Sequence, residues 1–301
     1  MTNSVTTFEE QLRARLLDIV HAQWHELGVP FSLSHPGSAE VIDPEALLWC
    51  SLEFLPTEPR LKENVLFWLS VNRQNLIRHR INRHAHDGDP RTNIWHVLDG
   101  ATRRQAKRPN ESCVGLASTD DVLSFCEKLE DDWGRRTREG RIGAPAVGTS
   151  TTLLRARSLL GRDVRHLLLV YLLANPGGSR LREIAKWAGY SYHSLAETAD
   201  RWATVGVLKN DRGSCRLLEG NLWRQLLRLD ERSLVIVDWF TVFDATIRLL
   251  RVLGTGTQKD LALDGTVLTS FRRETRQAVS AAGRSEIDET SPALSHLLEC
   301  I

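Results

Sequence analysis

LREIAKWAGYSYHSLAETADRW, residues Leu181 to Trp202, carries two helical patterns separated by one tight turn. Leu181, Ile184, Ala185 and Ala188 recur at the spacing that lines one face of a helix. Gly189 then supplies the positive φ that a short inter-helix turn needs. Ser191 is placed to cap the next helix, whose inward residues are Leu195, Ala199 and Trp202. Its other face offers His193, Ser194, Glu197, Asp200 and Arg201.

Working outward, Val164, Leu167, Leu168, Tyr171 and Leu172 form a helical stripe that Asn175-Pro176-Gly177-Gly178 must break. Ser179 is a plausible cap for the short helix that follows. After Gly206 the period changes. Val207–Lys209 and Cys215–Leu217 read as short strands joined by the turn-forming Asn210–Ser214. Three helices, the second one short, followed by a small hairpin describe a winged helix-turn-helix spanning about 150–220. In such a layout two helices hold the third at an angle, so that its N-terminal half can enter a major groove.

The residues from Glu183 to Ser191, EIAKWAGYS, resemble the core of bacterial winged-helix regulators. The continuation from Leu195 through Ala203-Thr204-Val205-Gly206-Val207-Leu208 resembles their approach to the wing. The resemblance covers about 60 residues and implies a DNA-binding transcriptional regulator. The wider layout, with Ile42-Asp43-Pro44-Glu45-Ala46-Leu47 in a helical N-terminal region, also resembles regulators encoded beside nucleotidyltransferase-type toxins. That likeness implies an antitoxin or autorepressor role, with a toxin as protein partner.

Charge supports a nucleic-acid module at this place in the chain. The 301 residues hold 39 basic and 38 acidic side chains, so no overall basic character exists. Residues 151–219 nevertheless carry 11 basic and 6 acidic residues, whereas 1–150 carry 18 and 21. Within the basic segment, Arg180, Arg182 and Lys186 flank the second helix, and Lys209, Arg212 and Arg216 lie on the hairpin. These six suit phosphate clamping. Tyr192, His193 and Ser194, in the first turn of the third helix, are the expected base readers, with Ser191 mainly a cap. Arg201, about two turns further on, is expected at the DNA backbone. Glu197 and Asp200 repel phosphate, which keeps open a winged helix that grips a protein instead.

The flanking regions read as helical. In the N-terminal domain, taken as 1–140, Thr7-Phe8-Glu9-Glu10 fits a capping box ahead of the stripe Phe8, Leu12, Leu16, Ile19, Val20, Trp24 and Leu27. Asp43-Pro44-Glu45 starts a second helix, with Asp as cap, Pro in the first turn and Glu at the positive end. Leu61–Leu69 and Asn75–Arg83 read as one further helix or a pair, and Ser118–Trp133 as another. Gly140–Ser150, with three glycines and a proline, reads as a linker. In the region 221–301, Ser233 is placed to cap an apolar helix through Leu253, and Leu268–Val279 is amphipathic. The helix ending at Leu253 is apolar on more than one face, so it packs within the chain or forms the seam of a homodimer.

Other classes find little support. No apolar run exceeds the eight residues Leu167–Ala174, against about 20 for a membrane span. The N-terminus has no signal-peptide pattern, and five scattered cysteines, Cys50, Cys113, Cys126, Cys215 and Cys300, fit a reduced cytoplasm. His79, His84, His86, Asp87 and Asp89 superficially match a metallohydrolase set but lack a strand to aim them. Arg103, Arg104, Lys107 and Arg108 read as a solvated helix end or an auxiliary phosphate contact. No nucleotide-binding, nucleophile-elbow or zincin motif occurs, so neither catalysis nor a cofactor or metal is expected. The expected fold is mainly α: a helical N-terminal domain, the central winged helix with its small β-hairpin, and a helical C-terminal region.

Overall fold

The computed structural model describes residues 2–31, 40–84, 148–229, 234–254, 264–280 and 297. They are mainly helical, with one small sheet. The helices are α1 (Thr2–Glu26), α2 (Pro44–Phe54), α3 (Pro59–Asn72), α4 (Arg78–His84), α5 (Thr152–Leu160) and α6 (Val164–Ala174). They continue as α7 (Leu181–Ala188), α8 (Tyr192–Thr204), α9 (Gly220–Leu226), α10 (Trp239–Gly254) and α11 (Asp264–Ser280). Strands β1 (Ser179–Arg180), β2 (Leu208–Asp211) and β3 (Ser214–Leu217) form an antiparallel sheet in the order β1-β3-β2.

Two apolar cores result. The first joins the N-terminal helices to α10 and α11, with Leu12, Leu16, Trp24, Trp49, Trp68, Trp239, Phe243 and Phe271 among its members. Three of these tryptophans satisfy their N–H groups as they are buried: Trp24 donates to Ser51 Oγ at 2.8 Å, Trp68 to the Leu27 carbonyl at 3.1 Å and Trp239 to the Val41 carbonyl at 3.0 Å. The second core lies under α5–α8 and the sheet, and contains Leu153, Leu167, Tyr171, Leu181, Ile184, Leu195, Ala199, Leu208 and Cys215.

Residues 234–237 form the wall between the cores. Val235 pairs with Glu40 in a single parallel bridge, and the Val41 N–H donates to the Val235 carbonyl at 2.9 Å. Val235 and Val237 point into the first core, Leu234 and Ile236 into the second. This is the two-residue alternation of extended backbone, so the expected helix does not begin near Ser233. It begins at Trp239, where Asp238 accepts from the Thr241 N–H at 3.3 Å and from its hydroxyl at 2.7 Å. The many-sided apolarity of this segment is used within the chain, as α10 packs on α1, α2 and α11. Of the two readings of Val235–Leu253, packing within the chain is the one the fold uses.

Smaller corrections follow local physics. Helix α1 runs from Thr2, so Thr7 lies inside it and not at its start. Ser179 is in β1, and α7 begins after Arg180. Helix α5 has no counterpart among the expected helices. Asp43 does cap α2, accepting from the Glu45 and Ala46 N–H groups, with Pro44 in the first turn. Gly189 is left-handed, with φ +71°, and the Ser191 hydroxyl caps α8 through the Ser194 N–H at 3.1 Å. The segments Arg103–Arg108 and Ser118–Trp133, together with His86, Asp87, Asp89 and Ser233, lie outside the described residues. No described helix is long and apolar enough to cross a membrane.

A buried ionic cluster ties the cores together. Arg80 of α4 reaches Asp43 at 2.5 Å and Glu45 at 2.7 Å, and Arg157 of α5 reaches Glu45 at 2.7 Å. All four side chains are almost wholly buried. Burial works to raise the Glu45 pKa, but the Arg157 and Arg80 guanidiniums together outweigh it and hold Glu45 at about 2. Next to them, burial first and the Arg157 charge second push His166 down to about 3. Its neutral Nε2 accepts from Arg157 Nε at 3.2 Å.

Candidate nucleic-acid interface

The turn between α7 and α8 is fixed from the N-terminal side of the molecule. Arg80 Nε donates to the Ala188 carbonyl at 3.0 Å, which satisfies one of the free carbonyls at the end of α7. Tyr190 packs edge-on against His79 at 4.5 Å, and its hydroxyl donates to the Arg162 carbonyl at 3.4 Å. His84 stacks on Phe240 at 3.9 Å. Of the histidine and aspartate cluster, the two described histidines are thus engaged in ring contacts.

The first turn of α8 faces solvent. Tyr192 is 48% exposed, and His193 is exposed as well. Ser191 and Ser194 share a hydroxyl–hydroxyl bond of 2.9 Å, so both are partly occupied by capping. Tyr192 leans toward the hairpin: its hydroxyl lies 3.5 Å from where a Cβ on Gly213 would stand.

The hairpin is tied down close to this turn. Arg212 and Gly213 both have positive φ, at 51° and 85°, and link the paired residues Asp211 and Ser214. A two-residue connection with both φ positive is a type I′ turn, the form that matches strand twist. The Gly213 carbonyl accepts from the Leu181 N–H at 2.8 Å, so the turn abuts the start of α7. Gly178 makes the docking of β1 possible, since a Cβ there would come within 2.8 Å of the Cys215 carbonyl.

Strand register sorts the hairpin side chains. Leu208 and Cys215 face the core, and burial pushes the Cys215 thiol up to about 11, so it stays protonated. Lys209 and Arg216 are cross-strand partners on the outward face, with Arg180 beside Ser214 in the neighbouring row. Arg180, Arg182, Lys186, Lys209, Arg212 and Arg216 are all exposed. Among the described residues none of the six forms an ion pair.

The acidic residues of α8 are not idle. Glu197 pairs with Arg201 at 2.6 Å, one helical turn away, and Asp200 accepts from Asn210 Nδ2 of β2 at 2.7 Å. Asp200 thus braces the hairpin against α8. The Glu197–Arg201 pair is exposed on both sides, so it is worth little energy and leaves that stretch of α8 electrically neutral. Arg201 lies nine residues beyond Tyr192, about 13 Å along the axis, and does not gather with the first-turn residues.

Two contributors escaped the sequence reading. Asn210 lies in a turn-forming stretch, and nothing local marks it as a partner of Asp200. Arg80 had a usable signal, because it shares a helical face with Ile77, Ile81 and His84, where a solvated arginine is out of place. Compared with known proteins, the chain matches no family model, no curated protein and no solved structure.

Proposed function

We propose that the segment from Thr152 to Leu217 is a winged helix-turn-helix and that the protein is a DNA-binding regulator. In this reading α8 is the recognition helix and β2–β3 the wing. The element order, with β1 pairing β3 ahead of the two helices, supports it. The observation that carries the DNA reading is the Lys209–Arg216 pair. Like charges directly opposite across two strands are destabilising, and neither is in an ion pair among the described residues, with Asp211 standing two positions from Lys209 on the same outward face. An external polyanion would relieve the repulsion. Arg180 on the same sheet face and the exposed Arg182 and Lys186 of α7 add to the basic surface. Arg212 adds a second argument. A non-glycine residue with left-handed φ costs on the order of 1 kcal/mol, and this one sits exposed at the tip of the wing.

His193 and Tyr192 are the base readers in this proposal, and the six unpaired cations hold phosphate. A gel-shift assay on duplex DNA from upstream of the protein's own coding sequence tests it. The expected result is a retarded complex at low salt. His193→Ala should cost about 1–3 kcal/mol on the preferred site and nothing on unrelated duplexes. If no duplex is retarded at low salt, the regulator reading falls and a protein-binding winged helix, of the antitoxin kind, replaces it.

A further inference from the structure

Helix α9 presents the wrong side to water. Its Trp223, with Leu227 just beyond its end, turns inward; Leu227 is buried, and Trp223 stacks with Trp202 of α8 at 6.3 Å. Leu222 and Leu226, one turn apart, are 62% and 56% exposed. Val205, just past the end of α8, is also exposed, as is Leu218, whose N–H donates to the Val207 carbonyl. Three of these four exposed apolar side chains therefore lie close in sequence to a partner in the Trp202–Trp223 stack, Val205 to Trp202 and Leu222 and Leu226 to Trp223, with Leu218 joined to Val207 across the backbone. Large exposed apolar side chains are common singly, but a cluster of them marks an interaction surface.

The charges beside this face indicate what covers it. Glu219 stands at the start of α9 and Arg228 just past its end, both exposed, and neither has an ion-pair partner among the described residues. A helix with an acid at one end, a base at the other and two leucines between them is complementary to itself when turned antiparallel. A two-fold axis between Leu222 and Leu226 sets each leucine against the other's counterpart and brings Glu219 toward the Arg228 of a second copy. Such an isologous contact closes on itself and gives a dimer, not a fibre.

We propose that the protein forms a homodimer through the exposed face of α9, with Leu222 and Leu226 at its centre and reciprocal Glu219–Arg228 pairs at its rim. Val205 lies thirteen residues along α8 from Tyr192, about 20 Å away by helical rise. Covering this face leaves the first turn of α8 free. That compatibility rests on the proposed DNA reading; the dimer itself does not.

Sedimentation equilibrium without DNA, over a range of protein concentrations, is the test. Wild type should show a concentration-dependent monomer–dimer equilibrium. Leu226→Asp and Leu222→Asp should each weaken it by about tenfold or more, with the melting temperature of the monomer unchanged. Glu219→Arg alone should weaken the dimer, and adding Arg228→Glu should restore it. A wild type that stays monomeric at every concentration, or a dimer indifferent to Leu226→Asp, would overturn the proposal. So would a Leu226→Asp monomer with lowered stability, which would mean that another part of the same chain covers the face. Failure of the charge swap would overturn the antiparallel register. Because no DNA is present, none of these outcomes bears on the regulator reading, which the gel shift tests separately.

Discussion

His166 and Glu45, buried at the junction of the two cores, both contribute to the pH response of the molecule. His166 is held near pKa 3 by burial and by the adjacent Arg157, against 6.5 in the unfolded chain. Glu45 is held near 2, against 4.5. In both cases the unfolded chain takes up the proton first, so the stabilisation is complete above the unfolded pKa and erodes as pH falls through the gap. The histidine contribution is full above about pH 6.5 and declines toward 3; the glutamate contribution is full above 4.5 and declines toward 2. For His166 the loss across its window is on the order of 5 kcal/mol. Urea unfolding at pH 7 and pH 5 checks this. The wild type should lose stability over that interval, and His166→Leu should lose distinctly less. A wild-type midpoint that does not move between pH 7 and 5 would contradict the neutral histidine.

At the scale of elements, the proposed DNA reading sets local stability against function in the β2–β3 hairpin. A type I′ turn favours Asn or Gly at its first central position, yet Arg212 occupies it with φ 51°. Arg212→Asn should raise stability by about 0.5–1 kcal/mol and weaken DNA binding similarly for all sequences; paired denaturation and binding curves measure both. Loss of stability together with unchanged binding would show that the arginine is structural. Much of this unit was legible in the sequence because its signals are local: the glycine turn at Gly189, the cap at Ser191, the break at Asn175–Gly178 and the turn before Ser214. Elements defined by distant partners were not. Strand β1 has two residues, and its pairing with β3 lies some 35 positions away. Leu234–Val237 is an unbroken apolar run, which periodicity cannot assign to helix or strand. Only the separation of the two cores makes its alternation visible.

For the whole molecule, the cores are joined by charge as well as by the shared wall at 234–237. Asp43 and Glu45 read locally as helix-start residues, and so they are. Their second role, holding Arg80 and Arg157, depends on chain 35 and more residues away and leaves no trace in spacing. Arg80 also carries the junction to the α7–α8 turn through the Ala188 carbonyl. Arg80→Met should therefore cost about 3–5 kcal/mol, because it strands Asp43 and half-strands Glu45 in the interior. Hydrogen exchange should show protection falling in α2 and in α7–α8 together. A loss confined to one core would contradict the coupling. The remaining candidate-site chemistry, six exposed cations on β1, α7 and the hairpin with no ion pair among the described residues, was visible as composition, and the structure adds the register that places Lys209 opposite Arg216.

That register gives the sharpest test of DNA binding. Fluorescence anisotropy of a labelled duplex, titrated at several salt concentrations, yields the slope of log affinity against log salt. Each phosphate contact contributes about 0.9 to that slope. Lys209→Ala with Arg216→Ala should reduce it by about 2 while leaving the protein folded, and at least as stable once the opposed charges are gone. Binding that is absent at low salt, or a slope that the double variant leaves unchanged, would contradict the assignment of this surface to DNA.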